Sequence, residues 1–318
     1  PGTPGNPGNA VPFPSPAAKV SRMPHLSLRS LVNQRVRVIL ASVIMLTGVI
    51  TAVTAAPGAE AQQRNLVVFG DSIIADTPTP EYLVNRLGSL SSNSSLSSAS
   101  SESSGSSFQQ CPTSANNYGI RAGHKLGLPA WDYSCAGTTS ISPGPQFSTQ
   151  VDRALQAGAL TPATARVIIT TGFNDTYNNG NQSEQQIRAR YVDAMRPQIQ
   201  RIRNAAPNAR IQIVGYATIT DHDHVCLVHL GANIHDRTYA PQVGYWERLS
   251  QDMQRDLAHA TGTQFVDMKP STRDRGMCAP DHLRGWAGLF DFHAGPGNMP
   301  IHMTDRGHEH VANVIAAS

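Results

Sequence analysis

The chain has 318 residues, 40% of them hydrophobic and 15% charged, a balance that can bury a core and excludes a chain disordered throughout. The formal net charge of +3 does not belong to the body: residues 1–61 hold five of the 25 basic groups (Lys19, Arg22, Arg29, Arg35, Arg37) and one of the 22 acids, Glu60, which leaves the rest at a net −1. A basic nucleic-acid-binding body is thereby excluded, and no nucleic-acid partner is expected.

The N-terminus reads as a processing segment. Residues 1–22 are rich in proline and glycine, and Met23 is the expected start. Arg29, Arg35 and Arg37 precede an uncharged apolar run, Val38–Ala56, and Ala59-Glu60-Ala61 then offers small residues at the two positions a signal peptidase reads. That order predicts a secretory signal peptide cut after Ala61; a retained membrane anchor is the competing reading. Residues 1–61 are set aside from the fold, leaving residues 62–318 as one domain. Three lysines against 22 arginines suggest a GC-rich bacterial genome.

Asn65–Phe69 is a short apolar run ending at Gly70, the pattern of a buried strand. Ser91–Ser107 is nearly all serine and buries nothing, so a disordered surface insertion is expected, a glycosylated stalk being the alternative. Further strands are expected at Ala130–Cys135, Arg166–Thr171, Arg210–Gly215 and Thr263–Val266. Helices are expected at Tyr118–Leu126, Thr149–Ala157, Glu184–Asn204 and Val243–Ala260, and a last one from an N-cap near Thr304. Alternating strands and helices, with continuous apolar strands, predict a three-layer α/β/α sandwich around a parallel sheet of about five strands.

The four cysteines, Cys111, Cys135, Cys226 and Cys278, all follow the cleavage site. An even count in an exported chain predicts two disulfides with three possible connectivities, of which the sequence-near one is expected: Cys111–Cys135 and Cys226–Cys278. None has the short spacing a zinc site prefers.

The chemistry gathers at strand ends. Gly70-Asp71-Ser72 follows the first strand, where open α/β sheets bind ligands and where a helix start offers unpaired N–H groups. Gly172-Phe173-Asn174-Asp175 follows the third strand, and Asn174 brings an amide of the kind that holds an oxyanion. Ser134-Cys135-Ala136-Gly137 follows the second strand, with a glycine N–H that can approach closely. Pro300–His308 leads into the last helix and carries His302, Asp305 and His308. Asp221-His222-Asp223-His224, His229 and His235-Asp236 are ordinary zinc-ligand types, but a polar loop accounts for them, and no metal or cofactor is expected. Asp71 and Asp175 are expected to brace their loops by hydrogen bonds.

These four blocks, in this order, resemble the SGNH (GDSL-type) hydrolase family over essentially the whole mature chain, and most of all its secreted, disulfide-containing bacterial esterases and lipases. The segment Cys111-Pro112-Thr113-Ser114-Ala115-Asn116-Asn117-Tyr118 also resembles theirs. The resemblance implies a flavodoxin-like SGNH fold, Ser72 as nucleophile, an oxyanion hole of the Ser72 N–H, the Gly137 N–H and the Asn174 amide, and a histidine base, with no cofactor. The family's Asp-x-x-His is broken here. Aligning His302 puts Met299 at the aspartate position, so that the Met299 main-chain carbonyl would orient the imidazole; the alternative pair is Asp305 and His308. His302 is preferred because His-x-Thr-x-x-Gly-His resembles the family's run into its last helix.

The expected function is a secreted, monomeric serine esterase or lipase acting on carboxylic esters, lipids or acylated sugars among them, with possible contact to the cell envelope. Acyl transfer to envelope sugars or lipids by the same site is the rival reading, and a non-enzymatic envelope-binding protein is a weaker one. No apolar lid stands out, which leans toward short or medium acyl groups.

Overall fold

The computed structural model describes residues 63–78, 111–294 and 299–318, all within the unit Pro57–Ser318. The expected signal peptide and the serine-rich insertion lie outside the described residues.

Five strands, β1 (Leu66–Gly70), β2 (Ala130–Asp132), β3 (Arg166–Thr170), β4 (Arg210–Val214) and β9 (Gln264–Val266), form one all-parallel sheet in the order β2-β1-β3-β4-β9. β1 and β3 run in register from Leu66↔Arg166 to Gly70↔Thr170, so the two chains leave the sheet side by side. Alternate residues serve opposite faces, as the period of a strand requires. Val67, Phe69, Val167, Ile169, Ile211 and Ile213 enter one apolar cluster, and Leu66, Val68, Ile168 and Val214 enter the other. Both faces being covered explains why β1 and β3 read as unbroken apolar runs.

On the first face pack α3 (Phe147–Gln156), α5 (Glu184–Ala205) and α6 (Pro241–Thr261); on the second pack α2 (Tyr118–Leu126) and α8 (Asp305–Ala317). Their ends follow local chemistry. Asn117 caps α2 by accepting the Gly119 and Ile120 N–H groups, and Gly127 closes it in the left-handed region. Ser183 and Gln186 form a capping box on α5. α6 begins at Pro241, two residues before the expected Val243, because a proline at the first turn has no N–H to leave unpaired. Thr304 caps α8 as expected. Short helices α1 (Ser72–Ala75), α4 (Phe173–Tyr177) and α7 (Lys269–Thr272) follow β1, β3 and β9.

The sequence pattern runs β2 on to Cys135, but the strand ends at Asp132, whose carboxylate takes the Ser134 N–H and hydroxyl and turns the chain. The region expected as a polar loop after β4 holds β5 (His224–Val225), β6 (Val228–Gly231), β7 (Ile234–His235) and β8 (Thr238–Tyr239), with β10 (Phe290–Asp291) paired to β6. Disulfides join Cys111 to Cys135 and Cys226 to Cys278. Among the described residues, no helix is long and apolar enough to cross a membrane.

Candidate active site

The β1 chain enters the site through Gly70, where a Cβ would lie 2.3 Å from the Thr170 carbonyl oxygen of the neighbouring strand. Only glycine permits that approach. Asp71 then caps α1, its Oδ1 accepting the Ile73 N–H at 3.0 Å, and Ser72 opens the helix. Gln150 from α3 braces this exit: it accepts the Gly70 N–H and donates to the Gly70 carbonyl and the Thr138 hydroxyl.

Ser72 Oγ lies 2.8 Å from His302 Nε2, and His302 Nδ1 lies 2.9 Å from the Pro300 carbonyl oxygen. A carbonyl only accepts, so Nδ1 carries the proton and, in the neutral ring, Nε2 presents its lone pair to the Ser72 hydroxyl. The orienting carbonyl is therefore Pro300 and not, as expected, Met299. The Met299 carbonyl instead takes the His302 backbone N–H at 3.3 Å. The turn that folds the ring back on its own chain sets Ile301 at φ 55°, a backbone state costly for a β-branched side chain. The chain is held there by main-chain bonds from Ile301 to Gly288, from Ala287 to His302 and from Thr304 to Gly285. Burial lowers the imidazole below its ordinary pKa, the Pro300 carbonyl and Asp76 opposing and His308 reinforcing that shift.

The alternative pair is not brought together. Asp305 is exposed and pairs with Arg121 at 3.1 Å. His308 is fully buried, stacks on Tyr118, accepts the Tyr118 N–H at Nδ1 and sets Nε2 3.3 Å from Asp76.

Asn174 sits in α4, which Gly172 starts at φ 122°, in the region favouring glycine. Its Nδ2 donates to the Thr138 carbonyl at 2.9 Å, and its Oδ1 accepts the Tyr177 hydroxyl at 2.6 Å. The two partners fix which way the amide faces, and Nδ2 keeps a second N–H. Gly137 precedes Thr138, follows the disulfide-bonded Cys135 and adopts φ 79°. Asp175 accepts from Ser140 N, Ile141 N and Ser142 Oγ and so braces the loop beyond Gly137. Burial pushes its carboxyl pKa up against those hydrogen bonds. Asp71 is likewise buried, and desolvation raises it to about 7 against bonds from Tyr216 and Ile73.

Ser72, Asn174 and His302 face a cavity of about 460 Å³ whose remaining wall is mostly apolar, including Ile219, Val225, Leu227, Trp246, Met277 and Trp286. Glu247 positions the wall after β4 by accepting the Ile219 and Thr220 N–H groups. The Cys226–Cys278 bond staples Val225 and Leu227 to Met277. This wall escaped the sequence reading because its apolar residues are spread between polar ones in segments too short to show a period. Tyr177 is missed as well, although its place three residues beyond Asn174 on a helix is the available signal.

The histidine-rich segment is used elsewhere. Asp221 pairs with His222 and Arg237, Asp223 with Arg248, and buried His229 bonds the Cys226 carbonyl. Among the described residues, no three histidine, cysteine or carboxylate side chains are grouped to hold a metal ion.

The α/β fold thus brings a serine, a histidine and an asparagine to one cavity beyond its strand ends. The model of the GDSL-like Lipase/Acylhydrolase family matches residues 68–310, and the chain belongs to that family. By that family it is a carboxylic ester hydrolase. Among solved structures it is similar to phospholipase A1 from Streptomyces albidoflavus NA297, with 16% identity, 80% of this chain and 99% of that one covered, and a TM-score of 0.50. It is also similar to an extracellular lipase from Streptomyces rimosus (16%, 80% and 99%, 0.46) and a carbohydrate acetylesterase from Sinorhizobium meliloti (14%, 80% and 97%, 0.46). A search of the curated proteins finds no match.

Proposed function

We propose that the chain hydrolyses carboxylic esters through an acyl-enzyme on Ser72, with His302 as base and no third side chain in the triad. The observation that carries this is the imidazole bridging Ser72 Oγ and the Pro300 carbonyl, at 2.8 and 2.9 Å. Ser72 Oγ attacks the ester carbonyl carbon while its proton passes to His302 Nε2. The carbonyl π pair moves onto oxygen, and the oxyanion is met by the second Asn174 amide hydrogen, with the Ser72 and Gly137 N–H groups completing the hole. The tetrahedral centre collapses, the C–O bond to the alcohol breaks, and His302 returns the proton to the leaving oxygen. Water then repeats the sequence on the acyl-enzyme and releases the acid and free Ser72.

The apolar cavity favours an uncharged acyl chain. Apart from Thr238, its wall beyond the reacting groups and Tyr177 offers little to satisfy a sugar's hydroxyls. Two disulfides, together with the expected signal peptide, support export from the cell and a secreted enzyme. Envelope contact and a monomeric state belong to the same reading.

Incubating the protein with a nitrophenyl ester, with and without a long-chain alcohol, tests hydrolysis against acyl transfer. Free acid as the main product in both supports a hydrolase. A new ester formed in preference to acid would make the enzyme an acyltransferase.

A further inference from the structure

Tyr216 stands two residues past β4, at the same sheet edge as Ser72 and Asn174, and is buried to 1% exposure. Its hydroxyl does two things at once. It donates to Asp71 Oδ2 at 2.5 Å and accepts the Phe173 N–H at 3.0 Å. Asp71 immediately precedes Ser72, and Phe173 immediately precedes Asn174. The Tyr216 ring also meets the Phe173 ring edge-on, with centroids 5.7 Å apart. The other oxygen of Asp71 caps α1 through Ile73, so a pull on this carboxylate is a pull on the turn that carries Ser72.

We propose that Tyr216 is a positioning residue that fixes the span between the Ser72 oxygen and the Asn174 amide, by sharing one hydroxyl between the residues that precede them. The inference rests on the reading of Ser72 as nucleophile and Asn174 as oxyanion donor. Attack and oxyanion stabilisation must occur on the same carbonyl, so the oxygen and the amide have to be set relative to each other and not merely placed in the cavity. Main-chain bonding from Asp71 to Thr170 fixes the strand exits, but it ends before either reacting side chain. The Tyr216 hydroxyl acts one residue further out on both chains. Without it, Asp71 Oδ2 and the Phe173 N–H are left unpaired in a buried site, and each loop relaxes toward another partner.

The test is a double-mutant cycle of Tyr216→Phe with Asn174→Ala, with kcat expressed per serine titrated by a fluorophosphonate, so that misfolded protein is not counted. Tyr216→Phe keeps the ring and removes only the hydroxyl. Alone it should lower kcat by about 10- to 100-fold and leave KM within about threefold, the pattern of a misplaced reacting group. In the Asn174→Ala background it should cost less than about threefold, because a span with one end removed no longer matters. An equal loss in both backgrounds, or no loss in kcat per titrated site, would overturn the proposal. Failure of the fluorophosphonate to label Ser72 in the unmodified enzyme would instead overturn the nucleophile reading, and the positioning role with it.

Discussion

The imidazole of His302 is oriented by the main-chain carbonyl of Pro300, two residues before it, and by no carboxylate among the described residues. A carbonyl fixes the tautomer as well as an aspartate does, but it carries no charge to hold the imidazolium that forms during attack. Burial is the largest influence on the basicity of His302 and lowers the pKa, against the Pro300 carbonyl and Asp76. The base must be neutral, so activity is full above that pKa and falls as His302 is protonated. We expect the acid limb of kcat/KM to have its midpoint below 6.5, the ordinary histidine value. A midpoint near 7 that shifts in Asp71→Asn would assign the limb to Asp71 instead.

Substitutions along the last loop should separate the histidines. His302→Ala should lower turnover by several orders of magnitude. Asp305→Asn should leave turnover within about twofold, because it removes only an exposed ion pair with Arg121. Met299→Ala keeps every main-chain carbonyl and should be mild in turnover. His308→Ala should cost about 1–3 kcal/mol in a urea melt, since it empties a buried stacked site, while turnover of the folded fraction stays within about threefold. Activity retained in His302→Ala and lost in Asp305→Asn and His308→Ala would reverse the assignment.

Asp71 should leave a signature in stability. Its folded pKa of about 7 lies above the ordinary value of 3.8. Below the ordinary value both states are protonated and the group adds no slope. Between the two values the unfolded chain ionises first, the native state holds more protons, and stability declines as pH rises. Asp71→Asn should remove that decline, because the amide still accepts the Ile73 N–H and does not titrate. Denaturant melts at several pH values between 4 and 7.5 check it; identical slopes for both proteins would contradict the buried, titrating carboxylate.

The cavity refines the expectation of short or medium acyl groups. Each methylene moved from water into an apolar wall contributes about 0.8 kcal/mol, close to fourfold in kcat/KM. A nitrophenyl ester series should therefore rise from acetate through medium chains and then level off as the 460 Å³ fills. The sequence leans toward short or medium acyl groups for want of a visible apolar lid, and the wall that would bound the chain comes from Ile219, Val225, Leu227, Met277 and two tryptophans far apart in sequence. A series that peaks at acetate would argue that the cavity takes something else.

Which parts were legible follows from the physics. Both-face burial makes β1 and β3 continuous apolar runs, so Ser72 and Asn174 stand out as polar residues where such a run stops. The helix cap at Thr304 is local and visible too. The Pro300 carbonyl carries no sequence signature, since every residue has one; the chain's turn at Ile301 selects it. Tyr216 and Gln150 act through contacts made only when strands are aligned, and a lone tyrosine after a strand gives no hint of its two partners. β5 to β8, two to four residues each, are too short to show alternation.

The central claim is that Ser72 forms the acyl-enzyme with His302. The direct measurement is labelling with a fluorophosphonate followed by peptide mapping, in the unmodified protein, Ser72→Ala and His302→Ala. The account predicts one modified residue, Ser72, in the unmodified protein. It predicts no labelling and no ester hydrolysis in Ser72→Ala at a nearly unchanged melting temperature, and labelling slowed by orders of magnitude in His302→Ala. Stoichiometric labelling at another serine, or turnover that survives in Ser72→Ala, would contradict it.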